Sequence, residues 1–226
     1  HRRTLSSMLE EILSLPGRFR LRLGMMNPAT LMPILDTLLP LYQHKKMYPF
    51  AHIPVQSGSD AVLETMRRGY RARDFLELIQ EMRRSIPELW IATDIIVGFP
   101  GETEEDFQAS IDLIREVRPN KVNITRFSPR PGTVAASLPD LLERTKKERS
   151  RRMSRLADQI CLDNNRSWID RRLPAVVVER IKPGSVVCRT PQYRSVVVQE
   201  ELPLGSDTIV QITASRIHYF TGQISR

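Results

Sequence analysis

The chain is poor in cysteine and histidine, and each scarcity closes off a class of chemistry. Its 226 residues include two cysteines, Cys161 and Cys188. That is too few for a disulfide framework, so a reducing, cytoplasmic compartment is the expectation. The four histidines, His1, His44, His52 and His218, stand at no metal-ligand spacing. Neither a G-x-S-x-G elbow nor a Walker loop occurs. His52 reads as a packed, hydrogen-bonded strand residue rather than a base, and both cysteines read as structural. No apolar run approaches the length of a membrane span, and the first residues lack a signal-peptide core.

What is present is enough apolar sequence for a proper core, 41% of residues, and an excess of positive charge, +8 at pH 7. The excess is uneven. Residues 1–139 carry 18 basic and 16 acidic side chains, whereas residues 140–226 carry 16 and 10. A basic C-terminal part points either to a polyanion, most simply a nucleic acid, or to a solvated Lys/Arg-rich surface.

From residue 4 to about 128 strand and helix patterns alternate. FRLRLGM (19–25) reads as a strand, and PATLMPILDTLLPLY (28–42) as a helix with Pro28 in its first turn. FAHIPVQ (50–56) is strand-like. Ser59-Asp60 caps a helix that stops at Gly69, and a second helix spans roughly 73–85. LWIATDIIVGF (89–99) is apolar enough for a strand buried on both faces. Thr103 and Asp106 form a capping box for the next helix, and KVNITRFS (121–128) is a strand. Such repeated units predict a parallel α/β layer with right-handed crossovers. After a proline-rich loop (129–140) comes a long polar helix, about 140–168, in which residues 144–155 hold seven basic side chains against one glutamate. Five short strands follow, at 174–181, 185–190, 194–200, 207–215 and 218–225, the rhythm of a small OB-like β-barrel. The predicted organisation is therefore an α/β domain over 1–139, a basic linker helix over 140–167 and an all-β barrel over 168–226.

In parallel α/β sheets ligands sit beyond the carboxyl ends of the strands. The ends here are Met26-Asn27-Pro28, Gln56-Ser57-Gly58-Ser59-Asp60, Gly98-Phe99-Pro100-Gly101-Glu102 and Ser128-Pro129-Arg130-Pro131-Gly132. The third strand also holds Thr93-Asp94, and the fourth holds Arg126. Each loop alone reads as an ordinary turn. Together, on one rim, they predict a ligand site, with Asn27 one of its candidate contacts.

HIPVQSGSDAVLETMRRGY, TDIIVGFPGETEEDF and RFSPRPGTVAA resemble the radical S-adenosylmethionine methylthiotransferases. FRLRLGMMNP with NITRFSPRPGT is most similar to the archaeal and eukaryotic branch. That branch adds a methylthio group to N6-threonylcarbamoyladenosine beside the tRNA anticodon. GSVVCRTPQYRSVVVQEELPLGSDTIVQITAS resembles the family's TRAM domain, a small RNA-binding barrel. The resemblance implies the later part of a partial (β/α) radical-SAM barrel followed by that module. It further implies that Gln56, Ser57, Asp94 and the Gly98–Phe99 backbone face S-adenosylmethionine, with Gly98 admitting an adenine. Asp94 is alternatively a buried structural acceptor. Arg126 and Arg130 would reach a nucleotide substrate or form salt bridges. Arg189, Tyr193 and Arg194 would contact phosphate and stack on an anticodon-loop base, or pack at a barrel edge. The basic run 144–155 tracks a tRNA backbone or is a solvated helix face.

The family's 4Fe–4S clusters are held by a CxxxCxxC loop and three further cysteines. The two cysteines here match neither set. The chain thus reads as a C-terminal fragment, inactive alone, whose partners are tRNA and the N-terminal part of the same protein. The exposed edge of strand 19–25 is a candidate for self-association. A stand-alone tRNA-binding module is an alternative. So is a methylthiotransferase acting on isopentenyl-adenosine in tRNA or on a ribosomal-protein aspartate.

Overall fold

A computed structural model describes residues 4–225; His1 lies outside that range. The chain divides into two compact units, residues 1–157 and 158–226, and the division falls inside the long helix rather than at the predicted 167/168.

The first unit is built on a parallel sheet of β1 (Phe50–His52), β2 (Trp90–Val97) and β3 (Lys121–Arg126), in that order. Helices α1 (Leu5–Ser14), α2 (Pro28–Leu31), α3 (Leu35–Leu38), α4 (Asp60–Thr65), α5 (Ala72–Ser85) and α6 (Glu104–Val117) accompany it. β2 is central, pairing Phe50 with Trp90 on one side and Asp94 with Asn123 on the other. Its odd residues Ile91, Thr93, Ile95 and Val97 are buried, while Trp90, Asp94 and Ile96 are half-buried. One face of the sheet is therefore sealed and the other only partly covered, Ala92 on it being buried as well, although the apolar run predicted burial on both.

The predicted helix over 28–42 is broken. Pro33 and Pro40 each lack the N–H that a continuous helix requires, so 3₁₀ turns at Met32–Ile34 and Leu39–Gln43 interrupt α2 and α3. Residues 19–25 form no regular strand. Two single bridges, Leu21 to Met47 and Met25 to His52, attach the segment, because its partner is kinked at Pro49 and only three residues of β1 are regular. The continuous strand edge expected there for self-association is thus absent. α4 ends not on Gly69 but on Arg67, which takes the left-handed conformation (φ 54°), so that the Arg68 N–H donates to the Leu63 carbonyl at 3.0 Å. The Thr103/Asp106 capping box forms as read, each partner bonding the other's backbone N–H.

α7 (Glu143–Arg166) opens where the proline-rich segment ends. The second unit is a closed barrel of β4 (Arg172–Lys182), β5 (Ser185–Arg189), β6 (Ser195–Val198), β7 (Asp207–Ser215) and β8 (Phe220–Ile224), ordered β4-β5-β6-β8-β7 with β4 pairing β7. All its ladders are antiparallel except β6–β8. Alternate residues fill the interior: Ala175 and Val177, Val186 and Cys188, Val196 and Val198, Val210 and Ile212, with Phe220 and Trp168. Gly222 lets β8 pass close by, since a Cβ there would lie 2.6 Å from the Gln211 carbonyl oxygen.

Candidate functional site

β1 stops at His52 because Pro54 cannot donate to the ladder. The Thr93 hydroxyl repairs the gap, donating to the Ile53 carbonyl (2.8 Å) and accepting the Val55 N–H (3.1 Å). Pairing resumes at Gln56, whose N–H reaches the Asp94 carbonyl at 2.8 Å and whose own φ is 72°. A non-glycine residue in the left-handed region is held there by its surroundings. The repair keeps β1 and β2 in register, which carries His52 and Asp94 to the open face together.

On that face Asp94 is the centre. His52 Nε2 and Asn123 Nδ2 both lie 2.7 Å from its Oδ1. Among the described residues no partner takes Oδ2, and the side chain is 22% exposed. Burial pushes the Asp94 carboxyl up; the hydrogen bonds from His52 and Asn123, with the charges of His52 and Lys121, outweigh it and hold the group below its ordinary value. The face thus presents an oriented, ionised acceptor; Trp90, stacked on Phe50 with ring centroids 5.0 Å apart, lies at the opposite, starting end of β2.

The other residues expected to face a cofactor are engaged elsewhere. Asn27 is exposed but caps α2, its Oδ1 accepting the Ala29 N–H at 2.8 Å, which accounts for the Asn-Pro at that position. Ser57 is fully buried. Its hydroxyl lies 3.3 Å from that of Ser110 in α6, and Gly58 docks so tightly on α6 that a Cβ would sit 2.4 Å from the Ala109 carbonyl oxygen. Ser57 therefore faces the interior, not a ligand. Gly98 is a glycine for a different reason from the one expected: φ is 73°, and the space of its missing Cβ is taken by the Lys146 stem, whose Cγ would lie 2.5 Å away. The Gly98 N–H donates to Glu102 Oε1 at 3.0 Å, so it is not turned to a ligand. The Phe99 ring is buried, edge-on to Phe127.

A buried ion pair locks this loop. Arg149 Nη1 donates to Glu102 Oε1 (2.5 Å) and to the Glu102 carbonyl (3.0 Å), with both side chains enclosed. Lys146, also buried, donates to Asp140 Oδ2 (2.7 Å) and the Phe127 carbonyl (3.2 Å). Burial pushes the Glu102 carboxyl up, and this exceeds the downward pull of the Gly98 N–H and of Arg149. Sequence reading missed Glu102, Arg149 and Lys146 as a group, and also His52 and Asn123. The alternation Lys121, Asn123, Thr125 against Val122 and Ile124 was the available signal for Asn123.

Of the expected RNA contacts, Arg126 is exposed and pairs with Glu143 at 3.3 Å, and Arg130 is exposed in the proline-rich loop. Arg189 and Tyr193 come together on the barrel: the guanidinium lies 4.5 Å from the ring centroid and donates to Ser195 Oγ at 2.8 Å. Arg194 does not join them. It is 5% exposed, with its guanidinium 4.6 Å from the Trp168 ring centroid, so it belongs to the barrel interior rather than to an RNA-facing surface.

The family described as the Radical SAM superfamily matches residues 6–114. That stretch of the chain is similar to the radical SAM superfamily. Proteins of Archaeoglobus fulgidus and Pyrococcus abyssi, both named "Probable threonylcarbamoyladenosine tRNA methylthiotransferase", are 43% and 41% identical over 99% and 97% of the chain. The chain spans about half the length of these curated relatives, 52% of each. Among solved structures, coproporphyrinogen III oxidase (HemN) from Escherichia coli, a radical SAM enzyme, shares the fold at a TM-score of 0.51 and 12% identity, covering 87% of this chain and 46% of its own. For this superfamily the relevant groups are S-adenosylmethionine and a 4Fe–4S cluster. The open face fits the first: an ionised carboxylate with one oxygen unpartnered among the described residues suits a ligand bearing hydroxyl or ammonium donors. The chain does not fit the second. Cys161 and Cys188 are both buried, and among the described residues no three His, Cys, Asp or Glu side chains group to hold a metal. No described helix is long and apolar enough to cross a membrane.

Proposed function

We propose that this chain is the C-terminal part of a methylthiotransferase that converts N6-threonylcarbamoyladenosine beside the tRNA anticodon to its 2-methylthio derivative in the cytoplasm. The observation that carries the reading is the pair of relatives so named, which align along 97–99% of the chain. S-adenosylmethionine, when bound, supplies the radical chemistry and the methyl group. The chain's own contribution is binding and orientation. Asp94, held ionised and fixed in rotamer by His52 and Asn123, offers Oδ2 to a hydroxyl or ammonium donor of the cofactor, and Gln56, half-buried where pairing with β2 resumes, is a further candidate contact. Cys161 and Cys188, both buried and ungrouped, supply no ligand set for the cluster, so we infer that this chain by itself does not cleave S-adenosylmethionine.

The barrel reads as the family's TRAM module. On it Arg189 and Tyr193 supply a cation and an aromatic ring for a phosphate and an unpaired base, and Arg126 and Arg130 are the sheet unit's candidates for the nucleotide.

The test is mass spectrometry of tRNA nucleosides from cells lacking the gene, complemented with the intact gene or with Asp94→Asn. Loss of the 2-methylthio derivative of threonylcarbamoyladenosine, restored by the intact gene and not by the variant, supports the reading. Persistence of that nucleoside in the deletion overturns it. A loss confined to 2-methylthio-isopentenyl-adenosine, or to a modified ribosomal aspartate, would overturn it in favour of that substrate.

A further inference from the structure

The seven basic side chains of residues 144–155 fall into two sets that the sequence does not separate. Lys146, Arg149 and Arg152 turn into the first unit and pair with Asp140, Glu143, Glu102 and Glu104. Arg144, Lys147, Arg151 and Arg155 turn outward and are exposed, and among the described residues none of them makes a side-chain hydrogen bond or ion pair. At 100° per residue these four fall within one narrow stripe. It runs about 16 Å along the helix, with steps of roughly 4.5–6 Å between successive cations.

Stability does not explain the stripe. α7 begins at Glu143, so Arg144 lies in its first turn, where the helix dipole disfavours a cation. The four charges repel one another along the helix. Glu148, the one acid between 144 and 155, is directed to Arg152, 3.9 Å away. Acids do stand four residues from two of the cations, Glu148 from Arg144 and Glu143 from Lys147, but Glu148 is directed to Arg152 and Glu143 pairs with Arg126 and Lys146, so neither neutralises the stripe. Residues that break a local rule with no compensating contact mark a site whose partner supplies the compensation. A membrane surface is a poor partner, because a surface-bound helix needs an accessible apolar face, and Met153 and Ala157 on the opposite side are buried. A row of cations stepped like the phosphates of a strand suits a nucleic-acid backbone.

We propose that Arg144, Lys147, Arg151 and Arg155 form a phosphate-binding track for an RNA strand. It adds sequence-independent affinity on the sheet unit, separate from the Arg189–Tyr193 pair on the barrel. The inference rests on the tRNA reading above and adds a site to it.

The experiment follows binding of a fluorescent, unmodified tRNA transcript to the full chain by anisotropy across a potassium chloride series. The stripe variant carries Arg144→Gln, Lys147→Gln, Arg151→Gln and Arg155→Gln. A comparator carrying Arg67→Gln, Arg73→Gln, Arg84→Gln and Arg115→Gln removes the same charge from exposed positions elsewhere on the sheet unit. Circular dichroism checks that both variants retain their helix. The expected result is a loss of about tenfold or more in affinity at low salt, with the slope of log K against log salt shallower by roughly 3, for the stripe variant; the comparator's slope changes by less than about 1. Equal losses in both variants would overturn the track, since net charge alone would then account for binding. An unchanged slope in the stripe variant, or no tRNA binding by the unaltered chain, would overturn it as well. Neither result touches the nucleoside measurement, which judges the enzymatic reading separately.

Discussion

β2 has a hydrogen-bonded neighbour along each edge and yet keeps one face only partly covered, at Trp90, Asp94 and Ile96. The barrel strands are paired all round and turn an apolar set inward, with no face left to complete. Charge is distributed accordingly. The sheet unit encloses Glu102, Arg149 and Lys146 beside its open rim, whereas the one enclosed cation noted on the barrel, Arg194, lies against an indole. A barrel that closes on itself satisfies its backbone without outside help. The sheet instead leaves Asp94 half-buried, with one carboxylate oxygen unpartnered among the described residues. The two units thus differ in closure: the barrel is self-contained, and the sheet keeps a polar group on its less covered face.

The contrast can be broken most forcefully at the buried ion pair. Arg149→Met strands the Glu102 carboxylate, and stability of the sheet unit should fall by about 3–5 kcal/mol in urea unfolding. Replacing both partners with apolar residues should recover much of that loss. Phe220→Ala should cost the barrel a similar amount, about 3–5 kcal/mol, by opening a cavity in its core. If the units are energetically separate, each of these two variants moves only its own unfolding transition. A common shift in both would refute the separation.

Next in size is Gly98→Ala. The added methyl meets Lys146 in a left-handed backbone, and a loss of about 1–3 kcal/mol is expected, again in the sheet unit alone. Asp94→Asn tests the open face by pH. The Asp94 carboxyl is depressed in the folded chain, so the stability it contributes is fully present above its ordinary value of 3.8 and is lost as pH falls through the lower, folded value. Acid unfolding of the sheet unit should therefore begin at higher pH in the unaltered chain, relative to its neutral stability, than in the variant; identical profiles would refute the assignment. Smallest is thiol reactivity. Burial pushes the Cys188 thiol up to about 11, and Cys161 is also enclosed, so both should react with an alkylating agent only as the second unit opens.

Local chemistry was legible in the sequence, and contacts between distant segments were not. The Thr103/Asp106 box, the Ser59 cap and the alternating barrel strands depend on residues a few positions apart, and they stand close to where the pattern put them. The extended stretch 19–25 alternates as a strand should, but its partner is bent by Pro49, 24 or more residues further on. Pro33 and Pro40 were visible, yet the apolar spacing around them outweighed their known effect. Ser57 looked like a rim residue because its loop is polar; only the packing of Gly58 on α6 shows that the hydroxyl turns inward. Asp94 was identified, but His52 and Asn123 were not recognised as its partners, because the register of three parallel strands decides that they share a face. Arg149, 47 residues from Glu102, looked like one more cation in a basic run.

The sequence holds two tryptophans, and the fold gives one to each unit. Trp90 stacks on Phe50, whereas Trp168 has the guanidiniums of Arg171 and Arg194 over its ring, 4.4 and 4.6 Å from the centroid. Indole emission responds to nearby charge and to solvent, so the two units should carry different optical signatures without any label. A chain keeping only Trp90 would report by its fluorescence on ligands that reach the open face, and one keeping only Trp168 would report on events at the barrel.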